Sequence, residues 1–174
     1  VTLAFGSAPP VEALAEEMDL AFTTDDPPGV LLNGEDIAGE IGSETCGNMA
    51  SRIAASGPVR QALLDKQRAF RRLPGLVADG RDMGTVVFQD ARYKVFLTAS
   101  AGVSAQRRYK QLKDKGLDVN LSSLTREIEE RDRRDRERQA APLVMAEGAA
   151  LIDSSDLAIE EVIEQVLSLA GLRG

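Results

Sequence analysis

Apolar positions in the first third of the chain predict one helix followed by a small antiparallel β-unit. Residues 11–20 place apolar side chains three and four positions apart, which is the spacing of one helix face. Short apolar runs over about 21–24 and over 30–32 predict two strands, separated by the turn-forming residues 25–29. The Asn33–Gly34 pair is a strong signal for a tight turn directly after the second strand.

Two helices are predicted next, from residues that favour helix starts. Ser43 suits the N-cap of a helix that runs to about Ala55, because its side-chain oxygen can accept a hydrogen bond from the first turn. Pro58 suits the first turn of the following helix, since the amide hydrogen that it lacks would have no partner there. The Pro74–Gly75 pair ends this second helix.

The second half of the chain has the order strand, strand, helix, helix, strand, helix. We predict strands over 75–79, 93–97 and 149–153, with helices over about 102–115 and 121–138. A closing helix carries an apolar face made of Ile159, Val162, Ile163, Val166 and Leu167. The strands are short, apolar and mostly unalternating, which is typical of parallel strands covered on both faces. This order of elements predicts an α/β fold.

Composition and charge exclude several classes of function. The 174 residues fit one globular unit, and 43% apolar residues can support a core. A net charge of −7 disfavours nucleic-acid binding through overall charge, although a local arginine cluster can still bind a phosphate. One cysteine and no histidine exclude an internal disulfide, a metal site built on several thiolates and the usual zinc ligands, and we predict no metal-ligating residue in this chain.

The chain shows no pattern that would direct it to a membrane. No apolar run approaches the roughly 20 residues of a membrane span. No charged segment precedes an apolar one in the manner of a signal peptide. We therefore expect a cytoplasmic protein without membrane or nucleic-acid partners, and we expect a monomer because nothing indicates a coiled coil.

Opposite charges stand side by side where the predicted strand 75–79 ends. Arg81 and Asp82 lie between Gly80 and Gly84, beyond the carboxyl end of that strand. A salt-bridged turn would explain the pair. A ligand site would explain it equally well, because ligands of parallel α/β folds bind at this edge of the sheet.

A second set of charges continues an apolar stripe along the predicted helix 121–138. Steps of four, three, four and three residues connect Leu124, Ile128, Arg131, Asp135 and Arg138. A solvated helix with internal ion pairs would explain these charges, since the helix contains both signs in balance. The shared stripe favours a ligand, because arginine offers paired donors to a phosphate and aspartate accepts hydrogen bonds from a sugar or a base.

Three other polar residues have ordinary structural explanations. Ser51 lies among small residues that suit close helix packing, Arg60 suits a surface position, and Arg107 suits a solvent-exposed helix face. The chain contains no G-x-x-x-x-G-K-[ST] loop for a donor nucleotide and no histidine-based nucleophile pair. Arginines without a histidine fit phosphoryl transfer, in which positioning and charge neutralisation dominate.

Three segments together closely resemble the bacterial-type cytidylate kinase family. They are ADGRDMGTVVF (78–88), MASRIAASGPVRQALLDKQR (49–68) and RDRRDRERQAAPL (131–143). The resemblance implies an α/β fold with a P-loop nucleoside monophosphate kinase-like parallel sheet, helices on both faces, a small antiparallel β acceptor lobe and a helical lid. The implied divisions are an acceptor lobe over 1–60, a core over 61–100 and 141–174, and a lid over 101–140.

The resemblance also implies an activity and a set of acceptor-binding residues. The family transfers the terminal phosphoryl of ATP to CMP or dCMP with Mg²⁺, so these nucleotides are the expected partners. Ser51, Arg60 and Asp82 match positions that recognise cytosine. Asp135 matches a position that holds the substrate near its ribose, and Arg81 matches an arginine at the phosphates.

Three further arginines receive roles from the same resemblance. Arg131 matches a position that holds the substrate near its ribose, and Arg138 matches an arginine around the phosphates. We expect these two to be catalytic, since they would stabilise charge on the transferring group. Arg107 falls in or near the lid that closes over ATP, so it is expected to contact that donor.

The glycine-rich phosphate loop of the family has no counterpart in the printed sequence. We therefore expect a chain that resembles such a kinase without its first strand, its phosphate loop and the helix behind it. Such a chain should be poorly stable and inactive alone, because its sheet would expose apolar faces and unpaired edges. Two alternatives stay open: a kinase for another monophosphate such as UMP, and a non-catalytic nucleotide-binding or protein-interaction module.

Overall fold

The structure is a computed structural model that describes residues 10–172, and the chain divides after Leu76 into two compact units. The elements of the first unit are α1 (Val11–Glu17), β1 (Leu20–Phe22), β2 (Val30–Leu32), β3 (Glu35–Asp36), α2 (Ala38–Ile41), α3 (Glu44–Ile53) and α4 (Gly57–Ala69). Those of the second unit are a π-helical turn (Met83–Val87), β4 (Val95–Thr98), α5 (Ala101–Asp114), α6 (Leu121–Glu137), β5 (Ala150–Asp153) and α7 (Ile159–Leu169).

The three strands of the first unit form an antiparallel sheet, which contains the two strands that the sequence predicts and a third, β3, that it did not. Strand β2 is central, with Leu20 opposite Leu32 on one side and Leu31 opposite Asp36 on the other. The tight turn between β2 and β3 has positive φ angles at Asn33 (51°) and Gly34 (86°). These are the two residue types that tolerate this backbone best, so the turn prediction is confirmed.

Helices α3 and α4 begin where the sequence predicts. The Ser43 hydroxyl accepts a hydrogen bond from the Cys46 amide, and α4 starts at Gly57 with Pro58 in its first turn. Helix α4 packs against α1. The Lys66 ammonium group then donates to the Met18 carbonyl at 2.8 Å, which fixes the end of α4 beside the chain that leaves α1.

The second unit contains a pair of parallel strands and a pair of packed helices. Strand β4 runs parallel to β5, with Val95 opposite Ala150 and Thr98 opposite Asp153. Helices α5 and α6 pack through a small buried core of Ala105, Leu112, Leu124 and Ile128. The parallel pairing confirms a mixed α/β class. Within residues 10–172 no helix is long and apolar enough to cross a membrane.

The predicted strand over 75–79 is wrong. These residues form no regular structure, and Val77 is fully exposed. In the described part of the chain β4 pairs with β5 alone, so 75–79 finds no ladder of hydrogen bonds to hold it as a strand. The segment that follows also differs from the expected loop, since Met83–Val87 closes as a π-helical turn.

The parallel strands are not covered on both faces within the described residues. Leu97 in β4 and Leu151 in β5 each leave more than half of their surface exposed. The apolar face predicted for the closing helix exists on α7, but Ile159 and Ile163 in it are also exposed. Apolar patterning alone identified these elements correctly, but it did not establish what packs against them.

Candidate functional site

The Arg81–Asp82 pair is held in place by the π-helical turn that follows it. The Asp82 carbonyl accepts hydrogen bonds from the amides of Val86 at 2.9 Å and Val87 at 3.3 Å. Single turns of π-helix occur often at functional sites. Asp82 itself is only 7% exposed, so this turn presents a buried carboxylate next to a partly exposed arginine.

Close contacts at Gly84 hold the π-helical turn against its neighbours in the second unit. A Cβ added at Gly84 would lie 3.2 Å from the Ala146 Cβ and 3.4 Å from the Lys94 Cδ. Any larger residue would therefore push against the loop before β5 and against the chain leading into β4. The turn that carries Arg81 and Asp82 is thus packed tightly against its neighbours.

Arg81 is paired with helix α6. Its Nε donates to Asp135 Oδ2 at 3.1 Å, and its Nη2 lies 3.6 Å from Asp132 Oδ1. The salt-bridged turn considered from the sequence assumed a pair between Arg81 and Asp82. Among the described residues, the ion-pair partners of Arg81 are instead these two carboxylates of α6.

Asp135 joins Arg81 to Arg138. Asp135 is 3% exposed, and its Oδ1 lies 3.7 Å from Arg138 Nη1. A buried carboxylate needs cations and hydrogen-bond donors to compensate for the water that it loses, and these two arginines supply both. The α6 stripe is therefore as predicted: it is buried and apolar at Leu124 and Ile128, and buried and charged at Asp135.

The loop after α6 folds back to hold Arg138. The Arg138 Nε donates to the Ala141 carbonyl at 2.8 Å, and the Leu143 amide donates to the Asp135 carbonyl at 2.7 Å. Ala141 has a φ of 49°, which is unfavourable for a residue with a Cβ. The sequence gives no signal for this conformation, so Ala141 could not have been identified in advance.

Arg131 lies one turn before Asp135 on the same helix. Its Nε is buried and has no hydrogen-bond partner in the described part of the chain. A buried donor without an acceptor costs free energy. An anionic ligand beside Arg131 would supply the acceptor.

Arg107 is engaged with the loop after β5. Its Nη1 donates to Ser154 Oγ at 3.0 Å, and its Nη2 donates to the carbonyls of Ser154 and Leu157. Ser154 is buried, and its hydroxyl donates in turn to the Thr98 carbonyl at the end of β4. Arg107 therefore ties α5 to the carboxyl ends of both parallel strands.

The predicted site residues are divided between the two units. Arg81 and Arg138 both contact Asp135 in the second unit, in which Asp82, Arg107 and Arg131 also lie. Ser51 lies on α3 and Arg60 in the first turn of α4, both in the first unit. Asp132 was missed, although its spacing of three residues from Asp135 places both on one side of α6.

Comparison with known proteins supports the resemblance seen in the three segments. A family model described as cytidylate kinase matches residues 2–171. The cytidylate kinase of Methylococcus capsulatus is 66% identical over 157 residues, which are 90% of this chain and 71% of that protein. Those of Nitrosococcus oceani (55% over 160 residues) and Aeromonas salmonicida (56% over 158 residues) cover 90% of this chain and 70% and 69% of the respective relatives. The chain therefore belongs to the cytidylate kinase family.

Proposed function

We propose that this chain is part of an enzyme that transfers the terminal phosphoryl of ATP to CMP or dCMP, giving CDP or dCDP. The observation that carries the proposal is the cluster in which Arg81 and Arg138 meet the buried carboxylate of Asp135. The finer fold proposed with it is a P-loop nucleoside monophosphate kinase-like sheet with an acceptor lobe and a helical lid. The relatives named cytidylate kinase support the acceptor class.

The arginines of the cluster suit the phosphate groups of the two nucleotides. Arg81 and Arg138 carry permanent charge and planar donors, and Asp135 holds them close together. Arg131 adds a buried Nε without a partner among the described residues. In phosphoryl transfer, such fixed positive charge stabilises the negative charge that spreads over the transferring group.

The acceptor nucleoside would be recognised by hydrogen-bond acceptors and donors. Ionised Asp82 can accept from the cytosine amino group, and Asp135 can accept from a ribose hydroxyl. Ser51 and Arg60 are proposed for cytosine recognition on the resemblance alone.

The donor side is proposed to involve Arg107. Its contacts with Ser154 and Leu157 lie at the carboxyl ends of β4 and β5, the edge at which ligands bind in parallel α/β sheets. In the described residues no group of three acidic, cysteine or histidine side chains could hold a metal ion. Mg²⁺ would therefore take most of its ligands from the ATP phosphates and water, and it would neutralise phosphate charge there.

Nucleotide binding by the folded chain tests the proposal. After circular dichroism has verified the fold, isothermal titration calorimetry should show binding of CMP and dCMP, with UMP weaker. Arg131→Ala and Asp82→Ala should each weaken CMP binding by about tenfold or more, because each removes a charged hydrogen-bonding partner. Arg133→Ala is the matched control, since Arg133 lies on α6 in an exposed pair with Glu137.

Three outcomes would count against the proposal. Equal affinity for UMP and CMP would favour a kinase of broader pyrimidine specificity. CMP binding that neither Arg131→Ala nor Asp82→Ala reduces would show that the nucleotide binds elsewhere. A folded chain that binds no nucleotide would favour a protein-interaction module.

A further inference from the structure

We propose that Asp132 is a positioning residue for the phosphate of the acceptor nucleotide, acting through Arg81. Asp132 Oδ1 lies 3.6 Å from the Arg81 Nη2. The inference deepens the proposed function and rests on the phosphate contact proposed there for Arg81.

The geometry shows two carboxylates holding one edge of the same guanidinium. Asp132 and Asp135 are three residues apart on α6, so their side chains lie on the same side of the helix. Asp135 accepts from Nε at 3.1 Å, and Asp132 lies 3.6 Å from Nη2. A guanidinium is planar, so fixing its Nε–Nη2 edge at two points also fixes the direction of its Nη1 donors.

Asp135 alone would hold Arg81 less firmly. Its buried carboxylate is shared with Arg138, at 3.7 Å from the other oxygen. The Arg81 side chain is 43% exposed and would otherwise sample several rotamers, which must be restricted when a phosphate binds. Asp132 reduces that cost before the ligand arrives.

Asp132 is also the member of the cluster that can be changed with least damage. Its side chain is 28% exposed, against 4% for Asp135, so changing Asp132 does not remove a buried carboxylate. The contact at 3.6 Å is an ion pair and exceeds hydrogen-bond length, so Arg81 keeps donors for a phosphate. These two properties suit a residue that orients Arg81 without competing with the phosphate for its donors.

A double-mutant cycle on CMP binding tests the inference. Calorimetry on the folded chain should show that Asp132→Asn weakens CMP binding about three- to tenfold. The same change made in an Arg81→Ala background should have no further effect, because its route of action is already gone. Glu129→Gln is the matched control: it removes one negative charge from an exposed position of α6 and should leave the affinity within about twofold.

The outcomes separate this inference from the proposed function. Tighter CMP binding by Asp132→Asn would overturn the inference, since it would mean that Asp132 competes with the phosphate for Arg81. An equal loss in both backgrounds would also overturn it, because the role would then be structural. If Arg81→Ala binds CMP as tightly as the unmodified chain, the phosphate role of Arg81 fails, and the inference fails with it.

A measurement without ligand gives a second, independent test. In nuclear magnetic resonance spectra of the chain, Asp132→Asn should make the Arg81 Nε–H exchange with water at least about twofold faster, because the guanidinium loses one of its two anchors. Glu129→Gln should leave that rate unchanged. An unchanged rate in Asp132→Asn would overturn the inference even if the chain bound no CMP.

Discussion

Asp135 compensates the charges of two arginines while remaining almost completely buried. Its position on the α6 stripe was predictable, because helical spacing places it below Leu124 and Ile128 on the same side. Its partner Arg81 lies 54 residues earlier in the chain, and no local pattern encodes that contact. The sequence therefore predicted which face of α6 turns inward, but the identity of the charges that meet there required the tertiary structure.

Removing the Asp135 carboxylate should strongly destabilise the second unit. Asp135→Ala leaves the nearly buried Arg138 and the half-exposed Arg81 without their shared anion, so we expect the free energy of unfolding to fall by about 2–4 kcal/mol. Urea denaturation followed by circular dichroism measures the change, with Glu129→Gln as the control. A loss of less than about 0.5 kcal/mol would show that the cluster contributes nothing to stability.

Ala141 should tolerate glycine better than a branched residue. Its φ of 49° suits glycine, whereas a β-branched side chain strongly disfavours the left-handed region. We expect Ala141→Gly to leave the free energy of unfolding within about 0.5 kcal/mol and Ala141→Val to lower it by about 1–2 kcal/mol. Equal stability of the two variants in urea titrations would contradict this account of the loop that holds Arg138.

At the scale of elements, the helices followed their local signals and one strand did not. Ser100 caps α5, Asn120 caps α6, and Gly116 with a φ of 76° follows the end of α5, so these three boundaries could be predicted from residue type. The segment 75–79 also contains a short apolar run, over 76–78, but forms no strand. A helix satisfies its own backbone, whereas a strand depends on neighbours that its own sequence does not specify.

Even an alanine side chain at Gly84 should destabilise the π-helical turn. At Gly84, a Cβ would press on Ala146 and Lys94, so Gly84→Ala should lower the free energy of unfolding by about 1–2 kcal/mol. Gly102→Ala in the first turn of α5 is the control, because nothing lies within 4 Å of its added Cβ. We expect that change to be neutral or to stabilise by up to about 1 kcal/mol in the same urea titration. A Gly84→Ala chain as stable as Gly102→Ala would refute tight packing at the turn.

Asp153, the last residue of β5, should have a carboxyl group with a lowered pKa. The Ser155 hydroxyl and then its amide donate to Asp153 and hold the pKa of that carboxyl below its ordinary value. A lowered pKa means that the carboxylate favours folding above its unfolded pKa and that this contribution is lost as the pH falls through the folded pKa. Carbon-detected titration should show the low pKa, and Ser155→Ala should raise it. An unchanged pKa in that variant would contradict the assignment.

At the scale of the whole molecule, the chain consists of two units, and large apolar side chains remain exposed among the described residues. Leu97, Leu151 and Ile159 lie in the second unit with most of their surface open to water. The relatives that the chain matches are longer, and it covers about 70% of their length. The family could be predicted from three short segments, but how these surfaces are covered could not.

The printed chain should not turn over its proposed substrates. It contains no G-x-x-x-x-G-K-[ST] segment, whose backbone amides and lysine would hold the phosphates of ATP. A coupled assay with ATP, Mg²⁺ and CMP should therefore give no CDP above the rate without protein. Turnover that depends on Arg131 would show that other residues can hold the donor.

The π-helical turn also bears on how the chain can vary in length. The Val87 and Phe88 amides bond to carbonyls five residues earlier, so the turn holds one residue more than an α-helical turn would. Deleting one residue from Met83–Val87 would let the turn close as an α-helix. The chain before the turn, which carries Arg81, would then rotate by about 100° about the helix axis. Exposed loops usually tolerate the deletion of one residue. Here the deletion would move Arg81 away from its partners on α6, so the number of residues in Met83–Val87 matters as much as the identity of the side chains in the cluster.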